Sequence, residues 1–109
     1  MAVISINYDL YHEPSRAYEE LFKAIRSFPA WCHALESSWL VVTDMKPKAV
    51  LDALKPYLHE KDKVVVTPLR LDAGWWSMGL SERVLDWLRN NLSTCGPTTH
   101  RRGFSANAS

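Results

Sequence analysis

With 109 residues, 47% of them apolar, the chain has room for one domain and not for two ordinary cores. Its 13 basic and 12 acidic residues leave a net charge of +1. That balance argues against a protein that coats nucleic acid non-specifically, because such binding neutralises several phosphates at once.

The chain opens on a strand, residues 2–9, in which Ile4, Ile6 and Tyr8 alternate with Ser5, Asn7 and Asp9. This is the period of a strand with one face buried and one wet, and the wet face ends in a carboxylate. His12 to Ser15 form a turn and helix start, with Pro14 or Ser15 near the N-cap. From Ser15 to Phe28 the apolar positions Ala17, Tyr18, Leu21, Phe22, Ile25 and Phe28 recur at helical spacing, and Pro29 ends the helix.

Residues 31–35 and 38–43 read as two short strands joined by a tight turn or bulge at Glu36-Ser37. Trp39, Val41 and Thr43 share one face, and Leu40 and Val42 the other. Pro47 starts a second amphipathic helix through Val50, Ala53, Leu54, Tyr57 and Leu58, whose last turn Pro56 kinks or loosens. Residues 61–71 form a fourth strand around Val64-Val65-Val66. Pro68 cannot donate to a ladder, so this strand belongs at a sheet edge or turns away there. After a loop with Gly74 and Gly79, Ser81 caps a third helix over 81–92.

The order β-α-β-β-α-β-α predicts an α+β fold: a ferredoxin-like plait (β-α-β-β-α-β) with an extra C-terminal helix and a four-stranded antiparallel sheet. In that fold two helices cover one face of the sheet. The other face is expected to stay bare, with Ser5, Asn7 and Asp9 on it. The domain is expected to span residues 1–92. Residues 93–109, polar and without periodicity, are expected to form a tail without fixed structure. Neither Cys32 nor Cys95 has zinc or redox spacing, and Cys32 reads as a reduced packing residue. No signal peptide precedes the first strand and no run approaches the roughly 18 apolar residues of a membrane span, so a cytoplasmic protein without membrane contact is expected.

Three stretches carry a family likeness. They are the first strand Ile-Ser-Ile-Asn-Tyr-Asp-Leu, the segment His-x-Leu-Glu-Ser-Ser-Trp-Leu-Val at 33–41, and a Gly-Trp-x-x-x-Gly-Leu loop before the last helix. Over residues 1–92 the chain resembles small bacterial and phage proteins labelled "SinR family". Those are similar in fold to the small CRISPR-associated adaptation nuclease and to the VapD toxin ribonucleases. The resemblance implies a homodimer built through open sheet faces and edge strands. It implies a Mg²⁺ ion held between the two copies of Asp9, and Arg16 near a phosphate backbone. The basic run that many relatives carry early in the first helix is missing here, where Glu13, Glu19 and Glu20 crowd the region.

Each candidate has a plainer counterpart. Asp9 is either a metal ligand that activates water on a phosphodiester, or the start of an Asx turn. His33 and Glu36 can complete an acid/base or metal cluster with Asp9, or be a hydrogen-bonded strand histidine and a solvated turn residue. Trp75 and Trp76 can stack on bases, but no cation lies between Gly74 and Gly79, so burial against the last helix or across a dimer is the stronger reading. His100-Arg101-Arg102 is a short basic cluster that either touches phosphate or is a solvated end. Two functions follow. One is a dimeric, magnesium-dependent endoribonuclease-like protein using Asp9 and Arg16, with RNA a better substrate than DNA. The other is a non-catalytic dimeric module that binds a protein partner in a phage-defence or toxin–antitoxin system.

Overall fold

A computed structural model describes residues 2–11, 15–69, 74–92 and 107–108, with the backbone alone for 15–17 and 107–108. The described chain runs β1 (Ala2–Asp9), α1 (Ser15–Ile25), β2 (Ala30–Leu35), β3 (Ser38–Thr43), α2 (Pro47–Leu54), β4 (Lys63–Pro68), α3 (Glu82–Asn91) and β5 (Asn107–Ala108). Across the sheet the order is β4-β1-β3-β2-β5. The first four strands pair antiparallel, and β5 adds a two-residue parallel pairing outside β2.

The alternation of β1 sorts its side chains as the sequence predicts. Ile4 faces Val41 and Ile6 faces Trp39 across the β1–β3 ladder. These four pack with Tyr18, Leu21 and Ile25 of α1 and Val50 and Leu54 of α2 into the first core. Pro47 sits at the start of α2 and fixes its entry. Pro56, lacking an N–H, ends the α-helical ladder, and the chain closes with one 3-10 turn over Lys55–Tyr57. α1 stops at Ile25, three residues short of the predicted end, because Ser27 turns its backbone and its hydroxyl onto the Ala24 carbonyl. The middle strands are joined by the expected tight turn at Glu36-Ser37, and a register shift not read from the sequence lies within β2, between Cys32 and Leu35. β4 is an edge strand, paired to β1 alone among the described residues, and it ends at Pro68.

The second sheet face is not bare, contrary to expectation. α3 lies across it above β2 and β3, and Val84, Trp87, Leu88 and Leu92 close a second core with Ala30 and Cys32. Val3, Leu40, Val42, Leu69 and Trp75 pack around it. The cause is in β3: Leu40 and Val42 put two aliphatic side chains on this face, opposite Ser5 and Val3, and apolar area of that kind has to leave water. Ser81 starts α3 by accepting the Val84 N–H (3.3 Å), the cap read from the sequence. What stays exposed is the β4–β1 strip, where Val65 is 60% accessible. Most of the expected tail, 93–106 and 109, lies outside the described residues.

Trp87 is fully buried at the centre of the second core. Replacing it with Ala is expected to cost about 3–5 kcal/mol in urea unfolding, while Val65→Thr on the exposed strip changes stability by less than about 0.5 kcal/mol.

Candidate functional site

The polar row of β1 divides into a satisfied part and a free end. Ser38 donates to Asn7 Oδ1 (2.7 Å), Asn7 Nδ2 donates to Ser5 Oγ (3.1 Å), and Ser5 Oγ donates to the Thr67 carbonyl (3.4 Å). This chain of bonds straps β3, β1 and β4 together, which gives Ser5 and Asn7 a structural task. Asp9 ends the row exposed to solvent. Its register partner across the edge is Lys63. Among the described residues its carboxylate forms no hydrogen bond or ion pair. Among the described residues Asp9 thus has a lysine at the facing position and belongs to no group of three potential ligands, a poor fit for a magnesium ion that takes several oxygen ligands.

His33 and Glu36 do not join Asp9. Trp31, two residues before His33 on β2, is paired with Val41, so His33 lies on the α1 side of the sheet while Asp9 lies on the opposite side. The imidazole stacks flat on Trp39, centroids 4.0 Å apart and planes within 6°. Its Nε2 donates to the Glu36 backbone carbonyl (3.2 Å), not to the carboxylate. The same carbonyl accepts from the Tyr8 hydroxyl (3.3 Å), which in turn accepts from Trp39 Nε1 (2.9 Å). Burial raises the Tyr8 pKa, the Trp39 bond opposes that, and the nearby Glu36 charge adds to the rise, so the phenol stays a donor. The plainer reading of His33, a hydrogen-bonded strand histidine, describes its surroundings. Among the described residues no three His, Cys, Asp or Glu side chains are grouped to hold a metal ion.

A polar centre that the sequence reading missed is Asp62. Its Oδ1 accepts from the Tyr11 N–H (2.7 Å) and the Tyr18 hydroxyl (2.9 Å), and its Oδ2 from the His59 N–H (2.7 Å). Tyr11 stacks on His59 (5.2 Å), with Lys61 Nζ 4.9 Å from the Tyr11 ring. His59 Nδ1 accepts from the Lys61 N–H (3.1 Å), which places the neutral ring's proton on Nε2. One carboxylate thus ties the segment after β1, helix α1 and the turn before β4 into one corner beside Asp9. The signal in the sequence was His-Glu-Lys-Asp ahead of a strand, an aspartate placed to close its own turn.

The two neighbouring tryptophans part company. Trp75 is half-buried against the second core and donates Nε1–H to the Leu92 carbonyl (3.3 Å). Trp76 is 87% exposed and Met78 93% exposed. Gly74 (φ 84°) and Gly79 (φ 83°) bracket them in the left-handed conformation, which side chains with a Cβ rarely adopt. Within the single chain, burial as read from the sequence holds for Trp75 only. Cys32 is buried and its thiol is pushed up to about 11 by desolvation, so it packs rather than reacts. Arg16 lies in the first turn of α1, its side chain outside the described residues, as are His100, Arg101 and Arg102. No helix among the described residues is long and apolar enough to cross a membrane.

No protein-family model matches the chain, and no curated protein matches it.

Burial pushes the Asp62 pKa up, but the bonds from His59, Tyr11 and Tyr18 outweigh it and hold the carboxyl below its ordinary value. A folded pKa below the unfolded ~3.9 means stability that is present above that pH and lost as pH falls through the folded value. Asp62→Asn is expected to cost about 1–3 kcal/mol at pH 7 in urea unfolding, with the gap to wild type narrowing as the pH is lowered toward ~3.

Proposed function

We propose that the chain is a non-catalytic, self-associating binding module, a ferredoxin-like plait whose second face carries an added helix. The strand order β4-β1-β3-β2 and the placement of α1 and α2 on one face support the plait. The observation that carries the function is the loop between β4 and α3. Trp76 and Met78 stand almost wholly in water on a segment whose neighbour Trp75 is pinned to the end of α3. An indole left in water on an anchored loop is the kind of group that dominates protein contacts once covered. A second copy of the chain is the partner this reading takes, a homodimer being the smallest such assembly. The setting that goes with this reading is a phage-defence or toxin–antitoxin system, in the cytoplasm expected from the sequence.

Sedimentation velocity across about two decades of concentration tests this. The wild-type mass is expected to rise with concentration, and Trp76→Ala to stay a single chain. A wild type that remains a single chain throughout rejects the reading.

A second reading is favoured by the exposed, unbonded Asp9 carboxylate: a dimeric, magnesium-dependent endoribonuclease in which two copies of Asp9 share the ion and Arg16 approaches RNA. The lone carboxylate facing Lys63 and the near-neutral charge weigh against it. RNA and DNA cleavage with and without Mg²⁺, comparing wild type with Asp9→Ala, decides. Equal inertness of the two proteins is expected; magnesium-dependent cleavage lost in the variant would reverse the order of the two readings.

A further inference from the structure

We infer that the acceptor for the Trp76–Met78 loop is the groove between α1 and α2 of a second copy, an inference that rests on the self-association proposed above. The groove has a volume of about 650 Å³, within the ~300–1,000 Å³ range of sites that take up organic groups. Its walls are mixed: Phe28, Ala53, Met45 and Tyr57 supply the apolar part, Met45 and Tyr57 each 38% exposed, and Ser27, Thr43 and Asp44 the polar part. Glu20 and Lys23 stand on its α1 side.

The loop matches this surface in three ways. It is uncharged from Gly74 to Leu80, so it brings no charge of its own against the apolar wall of Phe28, Met45 and Tyr57. Its two protruding side chains are an indole and a thioether, shapes that fill irregular apolar space. The first turn of α3 beside it exposes Glu82 and Arg83, of opposite sign to Lys23 and Glu20 respectively. Such rim pairs add orientation and little affinity.

The two surfaces lie on opposite layers. The groove belongs to the α1–α2 layer, whereas Trp75 anchors the loop to the core under α3. A loop seated in a neighbour's groove therefore leaves that neighbour's loop free for a third copy. The contact is heterologous, so assembly does not stop at two by symmetry. Two side chains in a groove cover far less than the ~800 Å² per partner of a stable complex, so the association is weak.

Two surface variants test this on the full chain. Trp76→Ala removes the knob, and Ala53→Arg fills the groove from an exposed position of α2. Circular dichroism checks that both fold. Each alone is expected to weaken self-association about tenfold or more. Mixed in equal amounts they are expected to form a one-to-one pair that grows no further, because each supplies the surface the other lacks. If Ala53→Arg associates like wild type while Trp76→Ala does not, self-association stands and the groove is the wrong acceptor. If the wild type is a single chain at every concentration, self-association itself has failed. If that single chain floats with phosphatidylcholine vesicles and Trp76→Ala does not, the loop serves a lipid surface and the inference is overturned.

Discussion

β3 is apolar on both of its sides, and that constraint shapes the rest of the molecule. Trp39 and Val41 point toward α1 and α2, while Leu40 and Val42 point toward α3. A strand of this kind is comfortable only between two covered faces, so it takes a central place in the sheet. Its neighbour β1 is apolar on one side and polar on the other along most of its length. The second face is therefore covered over β2 and β3 and wet over β1 and β4. The division between a packed half and a solvated half of that face follows from two adjacent strands with different patterns.

The same division decides what chemistry the face can support. A carboxylate at the end of β1 falls on the solvated half, with a lysine in register and no metal-binding group of three His, Cys, Asp or Glu side chains among the described residues. The helix face at the same end is instead a closed set of ring contacts and hydrogen bonds around Tyr8, His33 and Trp39. Asp62 fixes the adjoining corner with three donors drawn from three parts of the chain. Polar groups that satisfy one another in this way rigidify a structure and leave little free valence for a ligand.

The elements were legible because their signals are local. The alternation of Ile4, Ile6 and Tyr8, the start at Pro47, the break at Pro56, the edge position of the strand holding Pro68 and the cap at Ser81 each depend on a few neighbouring residues. The errors concern which surfaces meet. Leu40 and Val42 were visible as one face of a strand, but that this face recruits α3 is a statement about packing between segments forty residues apart. His33 and Asp9 are residue types able to share an acid/base or metal cluster, and residue type says nothing of which side of a sheet each occupies. The register of three strands puts them on opposite sides of the sheet. Asp62 looked like any turn aspartate, since two of its three donors come from Tyr11 and Tyr18, distant in sequence. Adjacent tryptophans in a loop carry no periodicity that would tell the anchored one from the projecting one.

The short pairing of Asn107 and Ala108 alongside Trp31 and Cys32 has a bearing on how the molecule avoids uncontrolled stacking. Open sheet margins present rows of backbone donors and acceptors that any extended polypeptide can extend into a fibril. On the β2 margin two residues from the far end of the chain already occupy part of that row. On the β4 margin the row runs from a lysine to a proline, one strongly hydrated and the other unable to donate. Both flanks of the sheet are thus blunted by different means, and neither means requires another molecule.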